Sequence, residues 1–344
     1  MNVSCAIPTS PFLKYLGHIF VCLTAPIYIA TCFILIWKCP SFFNQYRTLL
    51  LRHIFTCIFM EYFMDAIWQL IVVVPWSALC SMGIGYQLPV LMFSIVVAGL
   101  CATGISIIHM FEYRMNAVTD DSIKVLRRVI TGVKYYHYFM MTSCMCLLAA
   151  SYNHLADQKA FKTKIENKYG ELPSYIWCDN CMFINTDSTL VLIFVGVAAS
   201  SQPLAAVYFG LSVYASKLGL QKLKASLSQR TISLQRNFLH SLYIQTAVHV
   251  IFISIPLGIF FLSFIIWIPS SAMYMSYILT AMCTQHGSLS TLALMISNKP
   301  LYSVFTKTFW RIKSSITGSD RVTAVEASSW YRSAIAVANA ENQE

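Results

Sequence analysis

Acidic residues are scarce: 14 of 344 positions are Asp or Glu, against 24 Lys and Arg, and charge of either sign occupies only 11% of the chain. With 57% apolar residues, a soluble domain could not hide so much hydrophobic surface. No Gly-rich phosphate loop, nucleophile elbow, paired-carboxylate hydrolase pattern or His-Glu-x-x-His motif is present, which disfavours an enzyme. No segment repeats with a period, and no interrupted spans pair between two halves as in inverted-repeat transporters. Nothing before Tyr15 has the small-residue pattern of a cleavable signal peptide, so the first apolar stretch is expected to serve as an uncleaved anchor.

What the chain does have is apolar runs. Seven succeed one another: Tyr15 to Trp37, Leu49 to Val74, Leu88 to Phe111, Tyr135 to Tyr152, Thr189 to Tyr214, Phe238 to Trp267 and Met273 to Ser297. Each meets or exceeds the roughly 17 to 25 residues needed to cross a hydrocarbon core as a helix. The reading is an all-α membrane protein, a seven-transmembrane helix bundle. It comprises an N-terminal segment 1–14, a membrane domain 15–297, a juxtamembrane amphipathic helix 298–313 and a flexible tail 314–344. In the juxtamembrane stretch Leu301, Phe305, Thr308, Phe309 and Ile312 share one helical face, which suits an inner-surface helix or a simple anchor.

The basic residues orient the bundle. Nineteen of the 24 Lys and Arg fall in alternate connections and the tail, including Arg114, Lys134, Lys217, Lys222, Lys224 and Arg230. The positive-inside rule places these in the cytoplasm, with the N-terminus outside and the C-terminus inside. The net charge of +10 is therefore a signal of topology and anionic membrane lipids, and not of nucleic-acid binding. Asn2-Val3-Ser4 is a potential glycosylation acceptor on the outer side.

Of the twelve cysteines, Cys5, Cys80, Cys178 and Cys181 lie on the outer side, where an oxidising environment favours disulfides. Cys80 can bridge to Cys178 or to Cys181 and tie the long second outer loop over the bundle. The alternative is a redox or zinc pair within Cys178-Asp-Asn-Cys181.

Glu61 and Asp65 stand well inside the second span, four residues apart and hence on one helical face. Such residues face the bundle interior, a partner or a water-filled cavity. Three roles are open for them: binding a cation, relaying a proton, or acting as a polar hub that rearranges with the helices. Against these stands a protonated, hydrogen-bonded carboxyl that holds helices together. His18, His53, His109, His137, His240, His249 and His286 lie in or beside spans. No two of them make a ligand spacing on one helix, so a metal is not expected, although ligation across helices stays open. Pro203 and Pro256 fall inside spans, where a missing amide produces a kink, static or hinged.

Particular residues narrow the choice. The third span ends in Phe111-Glu112-Tyr113-Arg114; the sixth is introduced by Thr231 to Leu239, continues Ser241-Leu-Tyr-Ile-Gln245 and reaches Ile255-Pro256. The seventh holds His286-Gly-Ser-Leu-Ser290-Thr291 and ends at Asn298-Lys-Pro-Leu-Tyr302. With Ser10-Pro11, Ala25-Pro26-Ile27 and Lys38-Cys39-Pro40, this resembles the nematode serpentine receptors of class h, chemoreceptors of the Str superfamily. The resemblance implies a seven-helix G-protein-coupled receptor in the plasma membrane of sensory neurons, at the cilium, detecting an external odorant or water-soluble small molecule and activating a heterotrimeric G protein. It departs from the family at Tyr113, where Asn is usual, and at Leu301, which interrupts a Lys-Pro-Tyr-Arg ending.

The chemistry of the residues fits that picture: Arg114 is expected to pair with Glu112 at rest and to release to a partner helix when the bundle opens, the alternative being an ordinary interfacial ion pair that snorkels. Lys217, Lys222, Lys224 and Arg230 would receive an acidic G-protein surface or anionic lipid. Glu61, Asp65, His286 and Ser290 form an expected intramembrane polar hub. Gln87, Ser94, Tyr274, Tyr277, Thr280 and Gln285 are ligand candidates by depth and polarity. No cofactor is called for. The rival class is a transporter or ion channel using Glu61 and Asp65 as a proton or cation relay.

Overall fold

The computed structural model describes residues 11–39, 44–73, 78–84, 87–119, 123–223, 228–264, 266, 273–298 and 301–308. Helix α1 (Pro11–Phe33) runs into a π-helical turn, Ile34–Lys38. Helix α2 (Asn44–Tyr62) does the same at Phe63–Trp68. At Gln69 the backbone turns left-handed, with φ 48°, and its N–H donates to the Met64 carbonyl, which stops the helix. The β-branched run that follows forms strand β1 (Leu70–Val73), paired antiparallel with β2 (Ala78–Ser81). The second apolar run was expected to stay helical to Val74; hydropathy does not separate a buried strand from a buried helix, and Leu-Ile-Val-Val favours the strand.

Helix α3 (Pro89–Val118) starts with proline in its first turn, where the missing amide is no loss. Helix α4 (Lys124–Ala150) is followed by the short α5 (Tyr152–Ala156), α6 (Lys159–Tyr169) and strand β3 (Cys181–Phe183). Helix α7 (Thr189–Lys222) precedes α8 (Gln229–His249), whose first turn is capped by the Ser228 hydroxyl accepting from the Thr231 N–H at 3.2 Å. A π-helical turn at Val250–Ser254 leads into α9 (Ile255–Leu262), so Pro256 sits just after the irregularity. Helix α10 (Met273–Ser297) matches the seventh apolar run end to end. A last helix, α11, covers 301–308 within the expected juxtamembrane segment; Phe309, Ile312 and the tail 314–344 lie outside the described residues.

The long helices close a ring. Helix α3 packs on α2, α4 and α7; α10 packs on α1, α2 and α8; and α4 lies along α7. Two apolar cores fill it. One, near the far end of α3, includes Leu50, Ile54, Ile108, Phe111, Tyr208 and Leu242; the other, nearer the sheet, includes Met60, Trp68, Phe93, Leu148, Phe194 and Phe260. Large apolar side chains also cover the outside, with Leu23, Ile29, Phe139 and Ile278 each more than 60% exposed. That perimeter needs an apolar surround. Among the described residues, four helices, Tyr15–Lys38, Pro89–Val118, Thr189–Lys222 and Thr231–Leu262, are each long and apolar enough to cross a membrane.

The all-α expectation is corrected in one respect. The connections fold into a three-stranded sheet in the order β1-β2-β3, with Cys80 opposite Cys181. These two cysteines form a disulfide across a sequence separation of 101. Cys178 is disulfide-bonded as well, so Cys178 and Cys181 are not a redox or zinc pair with each other. Lys162 of α6 is buried beneath this cap and donates to the Cys178 carbonyl at 3.0 Å. Burial lowers its pKa to about 8, against a smaller opposing pull from Asp179.

Candidate functional site

The midsection of the bundle is polar where α1, α2 and α10 meet. The Glu61 carboxylate oxygen Oε2 accepts from the Tyr28 hydroxyl at 2.7 Å and from the backbone N–H of Ser288 at 2.9 Å. One turn on, Asp65 accepts from the Gln285 side-chain amide at 2.8 Å. The two acids thus face inward and tie α2 and the π-helical turn that follows it to α10, as polar side chains inside a membrane helix must do to offset their desolvation. Gly287 permits the clamp. A Cβ there would meet the Tyr28 hydroxyl at 2.6 Å and the Cys57 Cβ at 2.9 Å. Ser290, expected to join this hub, is fully buried, but its hydroxyl finds no hydrogen-bond partner among the described residues.

Beside the hub lies a group that the sequence did not bring together. His53 and Cys57 on α2, His249 on α8 and His286 on α10 are all buried. The ring of His249 stands 5.2 Å from that of His53 and 5.6 Å from that of His286, centroid to centroid. His53 and Cys57 are one turn apart, a His-x3-Cys spacing that could have been read; that His249 faces them could not.

At the far end of α3, Arg114 is 6% exposed and is enclosed by aromatic rings. Its guanidinium carbon lies 3.6 Å from the ring centroid of Tyr46 on α2 and 3.9 Å from that of Phe238 on α8. Stacking of this kind suits a planar, weakly hydrated cation. Its Nε and Nη2 have no acceptor among the described residues. The expected Glu112–Arg114 pair does not form. Residues two apart on a helix point to different faces, and Glu112 instead accepts from Lys134 of α4 at 2.6 Å. A small crevice opens next to Arg114, lined by Val118, Ser216, Leu220, Gln235 and Leu239.

The other expected residues divide. Lys217 and Lys222 are exposed at the end of α7, and Lys217 lies 6.0 Å from the Tyr243 ring. Lys224 and the side chains of Arg230 and Tyr274 lie outside the described residues. Thr280 accepts from the Val72 N–H at 3.3 Å and so joins α10 to the sheet, and Tyr277 packs against the apolar cluster that includes Ile71, Val73 and Phe183 of the sheet. Ser94 donates back to Val90 of its own helix at 2.8 Å, and Gln87 is exposed just before α3. The candidates Tyr277, Thr280 and Gln285 are therefore grouped along α10, between the sheet and Asp65.

The family model described as serpentine type 7TM GPCR chemoreceptor Srh matches residues 8–311. No curated protein and no solved structure gives a significant match.

Proposed function

Because the chain belongs to the Srh family of serpentine seven-transmembrane chemoreceptors, we propose that it binds an external small molecule and activates a heterotrimeric G protein from the end of the bundle that holds Arg114. In this reading seven helices cross the plasma membrane with the N-terminus outside, at the sensory cilium, and the sheet faces the exterior. The ligand enters between the sheet and the Asp65–Gln285 contact, near Tyr277 and Thr280. Binding there shifts a pre-existing equilibrium between closed and open bundles.

The observation that carries the coupling step is the enclosure of Arg114 between rings of α2 and α8. The π-helical turn and Pro256 give α8 and α9 a weak point at which to bend. Swinging α8 outward withdraws Phe238, widens the crevice and presents the unpartnered guanidinium donors to carbonyl oxygens of an inserted G-protein segment. Lys217 and Lys222 at the end of α7 add a basic rim for acidic residues of that partner.

Changing Arg114 to Ala should abolish ligand-stimulated nucleotide exchange while surface expression persists, and Arg114→Lys should restore only part of it, because an ammonium lacks the planar fork. Full exchange in the alanine variant would remove the coupling role. The relay reading of Glu61 and Asp65 is not favoured, since the family is a receptor class and both side chains hold donors of α1 or α10.

A further inference from the structure

We infer that His53, Cys57 and His249 form a buried binding site for monovalent copper, which bridges α2 and α8 in the middle of the bundle. The ligand atoms of these three residues all lie within 4.8 Å of one another. A metal at about 2.0–2.3 Å from each requires them to close by about an ångström, within the reach of side-chain rotation.

The protons are already arranged for it. Ser106 donates its hydroxyl proton to the Thr103 carbonyl at 2.7 Å, so the 2.8 Å contact between His53 Nδ1 and Ser106 Oγ is donated by the imidazole. His249 Nδ1 donates to the Gln245 carbonyl at 2.8 Å, and His286 Nδ1 to the Cys283 carbonyl at 2.7 Å. Each ring therefore turns the lone pair of Nε2 away from the hydrogen bond that its Nδ1 makes. A histidine held at one nitrogen by a hydrogen bond, with the other lone pair presented, is the outer-shell arrangement of metal-binding imidazoles. The Nε2 atoms of His249 and His286 are buried and have no hydrogen-bond partner among the described residues. That of His53 lies 3.6 Å from the Cys57 sulfur. Buried lone pairs left unused are costly unless something occupies them.

Charge and softness choose the ion. Cys57 binds as thiolate and releases one proton to solvent, so Cu+ with one thiolate and two neutral imidazoles makes a neutral complex. That is the condition for stability in a desolvated interior. A divalent zinc ion would leave a net positive charge and favours a fourth ligand, whereas thiolate and imidazole donors suit low-coordinate Cu+. His286 stands beside the site as a potential additional donor.

The test uses the full-length protein in nanodiscs, titrated with Cu+ against a chromophoric chelator under reducing conditions and examined by X-ray absorption. One Cu+ per chain is expected, with one sulfur and two or three nitrogen neighbours. Cys57→Ser and His249→Ala should each weaken binding by at least about tenfold to a hundredfold, the range that even outer-shell losses produce. Replacing the exposed Cys146 should leave binding unchanged. Because either ligand variant could fold poorly, the wild-type spectrum stands as an independent arm. A first shell without sulfur, or with two sulfurs, would overturn the site. So would Cu+ affinity indifferent to both ligand variants, or Cys57-dependent binding of Zn2+ with none of Cu+.

Discussion

At the scale of single residues, the family-like run His286-Gly287-Ser288 acquires a physical meaning. Gly287 lets α10 approach α2 closely enough for the Ser288 amide to reach Glu61. Gly287→Ala should therefore force the two helices apart and destabilise the protein by about 1–3 kcal/mol, as overpacking does. A lowered thermal midpoint in detergent would register it, and an unchanged one would show that the contact yields. Lys162 gives a second prediction, with a sign. Its folded pKa, about 8, lies below the ordinary 10.5, so between those values the unfolded cap binds more protons than the folded one. Stability of the cap should then rise with pH across that window, the penalty for the buried ammonium being fully present below about pH 8. Proteolysis of the 157–187 connection at pH 7.5 and 9.5 would reveal slower cleavage at the higher pH, and Lys162→Met should flatten the difference. Glu61 and Asp65 were legible as inward-facing from their cost in lipid. The enclosure of Arg114 was not, because Tyr46 and Phe238 are remote in sequence and nothing local marks them as its partners.

At the scale of elements, hydropathy located α10 to the residue and missed the end of α2. The difference lies in punctuation: Ser297 is followed by the Asn-Lys-Pro of the chain's own stop signal, whereas Gln69 is not a residue type expected in the left-handed region. The sheet that begins there was invisible for the same reason that its disulfide was ambiguous. Strand pairing brings Cys80 opposite Cys181, and the choice between Cys178 and Cys181 depends on register, which spacing alone does not encode. With a sequence separation of 101 between its cysteines, this bridge should stabilise the folded state by about 4–5 kcal/mol on the chain-entropy model. The double variant Cys80→Ser with Cys181→Ser should accordingly lose surface expression or unfold at markedly lower temperature. If the sheet held without the bridge, surface expression and unfolding temperature would both stay near wild type.

At the scale of the whole molecule, two unrelated features give the same polarity. Helix α3 begins beside the sheet and ends at Val118, so Arg114 lies near the opposite end from the Cys80–Cys181 bridge, separated by a helix of about 1.5 Å rise per residue. Disulfides belong to oxidising compartments, and Lys and Arg concentrate on the cytoplasmic side; one depends on redox chemistry and the other on how membrane helices are inserted. Their agreement predicts that the sheet and the N-terminus face the exterior while Arg114, Lys134, Lys217 and Lys222 face the cytoplasm. An epitope placed before Met1 should therefore be stained in intact cells, and one placed after Glu344 only after permeabilisation. Staining of both tags in intact cells would require an even number of crossings and would take the proposed coupling face away from any G protein.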